Sequence, residues 1–192
     1  MKPVTLEGRF VRLVPMERGH VEALARAGAD PSLWQWYPVA PLTSVEAMGV
    51  HVEKSLADWE AGLLLPFVIL DRASGEVLGS TRFMSIEPAH RRLEIGASWL
   101  TPARQGTQAN PEAKLLLLGH AFEVLGCVRV EFKTDVLNTQ ARKGLENIGA
   151  KEEGVLRSYN FMPDGRRRDA VYYSILKREW PEVKEVLRSG GK

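Results

Sequence analysis

Residues 93–118 read LEIGASWLTPARQGTQANPEAKLLLL: a strand, a polar loop and the start of a leucine-rich helix in unbroken succession. In the strand, alternation with period two sets Ile95, Ala97 and Trp99 on one side and Glu94, Gly96, Ser98 and Leu100 on the other. The second set holds two very small residues. Its side of the strand offers either a groove for something thin against the backbone or a bed for close helix packing. The loop Thr101–Asn110 comes next. Asn110-Pro111-Glu112 opens a helix, with Asn at the cap and Pro at the first helical position. Leu115, Leu118, Phe122 and Leu125 share one face of it, and Gly126 ends it. Loop N–H groups that converge on a helix start favour an anion, and Arg104 adds positive charge nearby. Phosphate or pyrophosphate is the ligand implied. Glu112 fits an ordinary first turn, and its charge must point away from such an anion.

Upstream, Phe10–Val14 alternates apolar and basic residues as a strand does, and His20–Ala29 is Ala-rich and helical. Leu33-Trp34-Gln35-Trp36-Tyr37-Pro38 is an aromatic cluster closed by proline. Thr43-Ser44 caps a helix running to about Ala61, with Val45, Met48, Val52 and Leu56 near helical spacing. Leu65–Leu70 and Val77–Ile86 make a hairpin about the polar turn Arg72–Glu76, and the next strand begins at Arg91. Downstream, Val128–Val136 is a strand and Thr139–Ile148 a helix stopped by Gly149. Val155-Leu156 begin a strand, Asp164-Gly165 turns, and Asp169–Leu176 is the last strand. A meander, then strand–helix–strand–helix, then a closing hairpin predicts an α+β fold: a single mixed, mostly antiparallel sheet flanked by helices.

The 192 residues predict a single domain, and 44% apolar content suffices for its core. A net charge of +2, from 26 basic and 24 acidic residues, is too balanced to imply a specific nucleic-acid partner. Cys127 is the sole cysteine, so no intrachain disulfide forms. Its apolar setting favours a buried structural thiol over a nucleophile. No apolar run approaches the ~20 residues of a membrane span. Met1–Phe10 has no apolar signal core, so a cytoplasmic chain without a membrane partner is expected. The four histidines lack ligand spacing, and no metal is expected.

Glu94–Leu100, the loop Gln105–Asn110, the leucine-rich helix and Asn138 before the next helix together resemble the GNAT superfamily of N-acetyltransferases. More closely, the chain resembles the RimL-like ribosomal-protein N-acetyltransferases. These begin with a segment like Leu6-Glu7-Gly8-Arg9-Phe10-Val11-Arg12-Leu13. They also carry a turn like Val136-Leu137-Asn138-Thr139 before a helix ending in Ile148-Gly149-Ala150. The resemblance covers residues 4–178 as an acetyltransferase core and leaves 179–192 as a C-terminal tail. It implies acetyl-CoA as donor and a splay between the strands Leu93–Leu100 and Val128–Val136. The pantetheine arm would lie on the first strand near Trp99 and Leu100. The pyrophosphate would lie on Arg104, Gln105, Gly106, Thr107, Gln108, Ala109 and Asn110. The family pattern has Gly where Gln108 stands and Gly or Ala where Asn110 stands. Glycine lets a backbone approach phosphate without a Cβ between. The two amide side chains either crowd the pyrophosphate or donate to it, and retained binding is expected.

Acetyl transfer to an amine needs a neutral amine, a donor for the oxyanion and an acid for the leaving thiolate. Glu94 is the candidate base, or else a paired carboxylate at a strand start. The backbone N–H near Trp99 or Leu100 is the oxyanion donor that the resemblance implies. Asn138 binds coenzyme or substrate, or forms an Asx turn. RimL-like proteins often have Ser where Ala141 stands; Tyr172 or Tyr173 is the substitute acid, the other of the two packing only. Trp34, Trp36 and Tyr37 line an acceptor pocket or belong to the core. The run Arg166-Arg167-Arg168 marks a solvated hairpin, an acidic acceptor or the coenzyme 3′-phosphate. The acceptor is a small-molecule or peptide amine, a ribosomal protein among the candidates, and a homodimer is allowed. Two rival classes stand beside the enzyme: a non-catalytic acetyl-CoA-binding sensor module, and a ribosome- or RNA-associated binding protein.

Overall fold

The computed structural model describes residues 1–190 of the chain. Eight strands form one sheet: β1 (Leu6–Glu7), β2 (Val11–Pro15), β3 (Leu64–Asp71), β4 (Val77–Glu87), β5 (Arg92–Leu100), β6 (Arg129–Asp135), β7 (Lys151–Phe161) and β8 (Arg167–Leu176). Their order is β1-β2-β3-β4-β5-β6-β8-β7, and every neighbouring pair is antiparallel except β5–β6. This is the mixed, mostly antiparallel sheet expected. Five α-helices flank it: α1 (Val21–Ala27), α2 (Val45–Glu60), α3 (Ala109–Gly119), α4 (Thr139–Asn147) and α5 (Trp180–Arg188).

Alternation on β3 separates two cores. Val68 and Leu70 join Leu24, Met48, Val52 and Leu56 of α1 and α2 on one face. Leu65, Phe67 and Ile69 join Ala113, Leu117, Leu145 and Val183 of α3, α4 and α5 on the other. Both faces of β3 are covered, which is why Leu64–Leu70 is buried throughout. In α2 the Ser44 side chain accepts the Ala47 N–H, and Met48, Val52 and Leu56 recur every four residues on the buried stripe.

Several boundaries differ from expectation. α3 begins at Ala109, because Gln108 is already in helical conformation. Gln108 occupies the cap position without a side-chain cap bond, and Asn110 lies inside the first turn. The helix stops at Gly119 and widens into a π-helical turn, His120–Val124, before Gly126. β7 starts at Lys151, well before Val155. The expected tail holds α5, whose Trp180, Val183 and Leu187 are buried in the α3-side core. Their three- and four-residue spacing is that of an amphipathic helix.

The alternation predicted for β5 fails at its middle. The pairing Ser80–Trp99 is followed by Arg82–Gly96, so β5 carries one extra residue there. Ala97, at φ 46°, sits in this bulge in the left-handed region. The bulge reverses the phase of the residues after it. Leu93, Ile95 and Leu100 face the α3 side, whereas Trp99 enters the α1–α2 core. Glu94, Gly96 and Trp99 therefore share a face, contrary to the simple alternation.

One contact ties α3 to the N-terminal segment. Glu112 accepts the backbone N–H groups of Arg9, Phe10 and Val11 at 2.7, 2.6 and 2.7 Å. A Cβ on Gly8 would come within 2.5 Å of its carboxylate, so glycine is required there. The Glu112 carboxylate is thus taken up by the backbone of residues 9–11.

Candidate active site

β5 and β6 pair only at Arg92–Arg129, Leu93–Val130 and Glu94–Glu131. Beyond this point the strands separate into a wedge, and the backbone groups along its edges are left for another partner. The bulge lies on one edge. There the Ser98 carbonyl oxygen accepts the Tyr37 hydroxyl at 2.5 Å. The Ser98 hydroxyl meets Thr81 Oγ1 at 2.7 Å and Lys114 Nζ at 3.3 Å. Lys114 is 8% exposed, and its ammonium also lies 5.1 Å from the centre of the Phe132 ring on β6. It spans the wedge from β5 to β6. Among the described residues it has no carboxylate partner, and burial pulls its pKa down to about 8. The sequence carried a signal for it: a lysine beside Ala113 on the buried stripe of an otherwise leucine-rich helix.

The loop before α3 is held open by its own side chains. Gln105 Nε2 donates to the Leu100 carbonyl at 3.2 Å. Thr107 Oγ1 donates to the Arg104 carbonyl at 2.7 Å and accepts the Ala109 N–H at 3.3 Å. Gly106 turns the chain at φ 69°. Among the described residues no oxygen takes the N–H groups of Gly106, Thr107, Gln108 or Asn110. Arg104 is not aimed at this loop: its guanidinium pairs with Asp71 at 3.2 Å and Glu76 at 3.8 Å. A Cβ at Gly190 would fall 2.6 Å from Gln108 Nε2, so the Gln108 side chain packs toward the C-terminal end of the chain.

Glu94, Lys133 and Tyr172 gather on the opposite face of the sheet. Glu94 is 3% exposed, and its Oε2 accepts Lys133 Nζ at 3.4 Å and Ser85 Oγ at 3.3 Å. The Lys133 ammonium stands 5.1 Å from the Tyr159 ring centre and 5.5 Å from that of Tyr172. The Tyr172 hydroxyl donates to Tyr159 Oη at 3.1 Å. Burial, and then that bond, push the Tyr172 phenol up; the same bond pulls Tyr159 down. Tyr173 lies on the other face of the sheet. It is fully buried in the α3-side core, and its hydroxyl bonds to Glu146 and Glu152.

Other candidates lie elsewhere than expected. Trp34 is not a pocket wall: it is 3% exposed, stacks edge-on against Trp99, and donates to the Gly28 carbonyl at 2.9 Å. Tyr37 spends its hydroxyl on the β5 bulge, and Trp36 alone of the three is half-buried without an aromatic partner. Asn138 caps α4, its Oδ1 accepting the Ala141 N–H at 3.1 Å. The arginine run is not a solvated hairpin. Arg166 pairs with buried Asp135 at 2.6 Å, Arg168 is buried, and only Arg167 is exposed. Cys127 is buried, and burial pushes its thiol up, which suits a structural role. Lys114 and Lys133 are the residues of this region that sequence reasoning passed over; Arg168 entered it only within the arginine run.

The geometry agrees with what comparison finds. Residues 11–151 match the model of the acetyltransferase (GNAT) domain. A candidate acetyltransferase from T. thermophilus superimposes with a TM-score of 0.87 at 42% identity, over 98% of this chain and 97% of that one. Mycobacterium smegmatis RimJ, solved in complex with CoA-disulfide, superimposes at 0.84 with 26% identity over 99% and 98%. YdaF of Bacillus subtilis (strain 168), named as a candidate ribosomal N-acetyltransferase, is 35% identical over 121 residues, 63% of this chain and 61% of YdaF. The chain belongs to the GNAT acetyltransferases, and within them it resembles the RimL-like group.

Proposed function

We propose that this acetyltransferase moves acetyl from acetyl-CoA to a primary amine by direct attack within the β5–β6 wedge. The observation that carries this is the wedge itself. Pairing stops at Glu94–Glu131, and a loop with unclaimed N–H groups opens onto the same end of β5. The amides of Gly106, Thr107, Gln108 and Asn110 take the pyrophosphate, and the free edge of β5 takes the pantetheine amides. A backbone N–H at the bulge near Trp99 faces the developing oxyanion. Glu94, buried beside Lys133, receives the proton of the attacking amine directly or through water. Lys114, at the base of the wedge, is placed to steady the departing thiolate, a role open here because Ala141 offers no hydroxyl. Asn138 keeps its amide N–H groups for the coenzyme while its oxygen caps α4. A protein N-terminus and a small amine both remain acceptors of this reaction, the former supported by the ribosomal names of relatives.

Titration calorimetry with acetyl-CoA, followed by mass spectrometry of products from a mixture of amines and peptides, tests the proposal. Binding with acetylated product is expected. Absence of binding sinks the donor assignment. Binding without product from any amine favours the sensor module instead.

A further inference from the structure

The face that carries Glu94 has more cations than anions. Arg82 on β4 pairs in register with Gly96, next to the bulge, and its neighbour Phe83 points into the α3-side core. Arg82 therefore points to the Glu94 face. On β8, Val171 and Tyr173 point into the α3-side core, which turns Arg168 to the Glu94 face as well. Ala170 pairs with Asp135 at the end of β6, so Arg168 lies one step farther out at the open end of the wedge. The two arginines thus stand on strands to either side of the β5–β6 wedge, β4 and β8. Both act electrostatically on Tyr37, whose hydroxyl holds the bulge, and the Glu94 carboxylate acts on both.

Among the described residues neither guanidinium has a hydrogen-bonded carboxylate of its own. The Glu94 carboxylate is paired with Lys133 and that of Asp135 with Arg166 at 2.6 Å. Arg168, 5% exposed, is left with a 3.8 Å approach to the same Asp135 oxygen, and its Nε has no hydrogen-bond partner. Arg82 forms no ion pair among the described residues; Asp58, the acid nearest its charge on α2, is bound by Lys54 at 2.8 Å. His51, also on α2, is held neutral with a pKa of about 4 by burial and then by Arg82 and Lys54. A buried guanidinium without an acceptor costs stability unless a ligand completes it.

We propose that Arg82 and Arg168 select an acceptor amine that carries its own carboxylate. The inference rests on acetyl transfer in the wedge and narrows its acceptor. A planar carboxylate matches the guanidinium fork and completes the hydrogen bonding of Arg168. The same pair of charges excludes polyamines, whose second cation would meet two uncompensated positive charges. A free amino acid and a polypeptide N-terminus followed by an acidic residue both supply this chemistry.

Matched acceptor pairs separate them, with coenzyme A thiol release from acetyl-CoA as the readout. One arm compares free amino acids with their carboxamides. The other compares peptides beginning Ser-Glu with peptides beginning Ser-Gln, and spermidine is the cationic control. The carboxylate member is expected to exceed its neutral twin at least ~10-fold in kcat/KM, as charged hydrogen bonds in a buried site do. The arm that responds names the source. Arg168→Gln and Arg82→Gln should each reduce that ratio while leaving acetyl-CoA affinity unchanged. If Arg168→Gln does not fold, the wild-type ratios and Arg82→Gln decide. Equal or better turnover of the neutral twins or of spermidine overturns the proposal. So does a panel that stays silent while acetyl-CoA binds. Loss of acetyl-CoA binding in the wild-type chain would instead overturn the donor assignment beneath it.

Discussion

Glu94 and Lys114 show how burial makes chemistry out of ordinary side chains. Glu94 sits against Lys133 on the face away from α3, where the proposed reaction needs its base. Replacing it with Gln keeps the shape and removes the proton acceptor. Turnover of Glu94→Gln should fall by ~10²–10⁴-fold, while calorimetry returns an acetyl-CoA affinity close to wild type. Equal turnover would remove Glu94 from the role of base. Lys114 is held well below its ordinary pKa of 10.5, near 8, because burial penalises the ammonium. The sign comes from linkage. Between these two values the unfolded chain binds the proton more tightly than the folded one, so stability rises with pH across that window. Below pH 8 the full penalty is present. Lys114→Met, apolar and similar in volume, should therefore stabilise the fold at neutral pH by about 1–4 kcal/mol. The gain should shrink as pH rises toward 10.5, measured by denaturant melts at several pH values. The same variant should turn over more slowly. The proposed role of Lys114 predicts both changes together.

Two elements depend on single small residues. The turn before β2 admits the Glu112 carboxylate because Gly8 has no Cβ. Gly8→Ala must displace three hydrogen bonds, and a destabilisation of about 1–3 kcal/mol is expected in chemical denaturation. The strand β5 depends on its bulge, where Ala97 holds a left-handed backbone that costs an L-residue ~1–2 kcal/mol. Ala97→Gly should leave stability unchanged or raise it, and Ala97→Val should lower both stability and turnover. A β-branched residue accepted there without loss would contradict the bulge geometry. The π-helical turn after α3 is a further departure from regularity, and it carries the chain from Gly119 to the β6 strand.

At the scale of the molecule, α5 closes the α3-side core. Trp180, Val183 and Leu187 are each about 5% exposed or less. Burial of such side chains contributes ~1.5–3 kcal/mol apiece, comparable in sum to the net stability of a domain. A chain ending after Leu176 should lose cooperative thermal unfolding, detectable by circular dichroism. A sharp transition near that of the full chain would show α5 to be dispensable. The distribution of charge is likewise a property of the whole. A net charge of +2 conceals a Glu94 face on which Arg82 and Arg168 have no hydrogen-bonded carboxylate among the described residues.

Local patterns were enough to determine most of the succession of strands and helices, the mixed sheet and the loop-to-helix step, but not β1 or the α5 that occupies the expected tail. Period-two and period-3.6 patterns report which backbone a segment adopts and which side it buries, and these are short-range matters. The phase of β5 beyond Ala97 was not legible, because a bulge is decided by how β4 pairs across from it. Arg104 looked like a phosphate ligand until Asp71 and Glu76, distant in sequence, claimed it. Trp34 looked like a pocket wall until Trp99 covered it. Only the tertiary structure buries Lys114 and Arg168 and leaves the Arg168 Nε without a hydrogen-bond partner. Sequence sets what each segment can become; burial and pairing between segments decide which charges are left to act on a substrate.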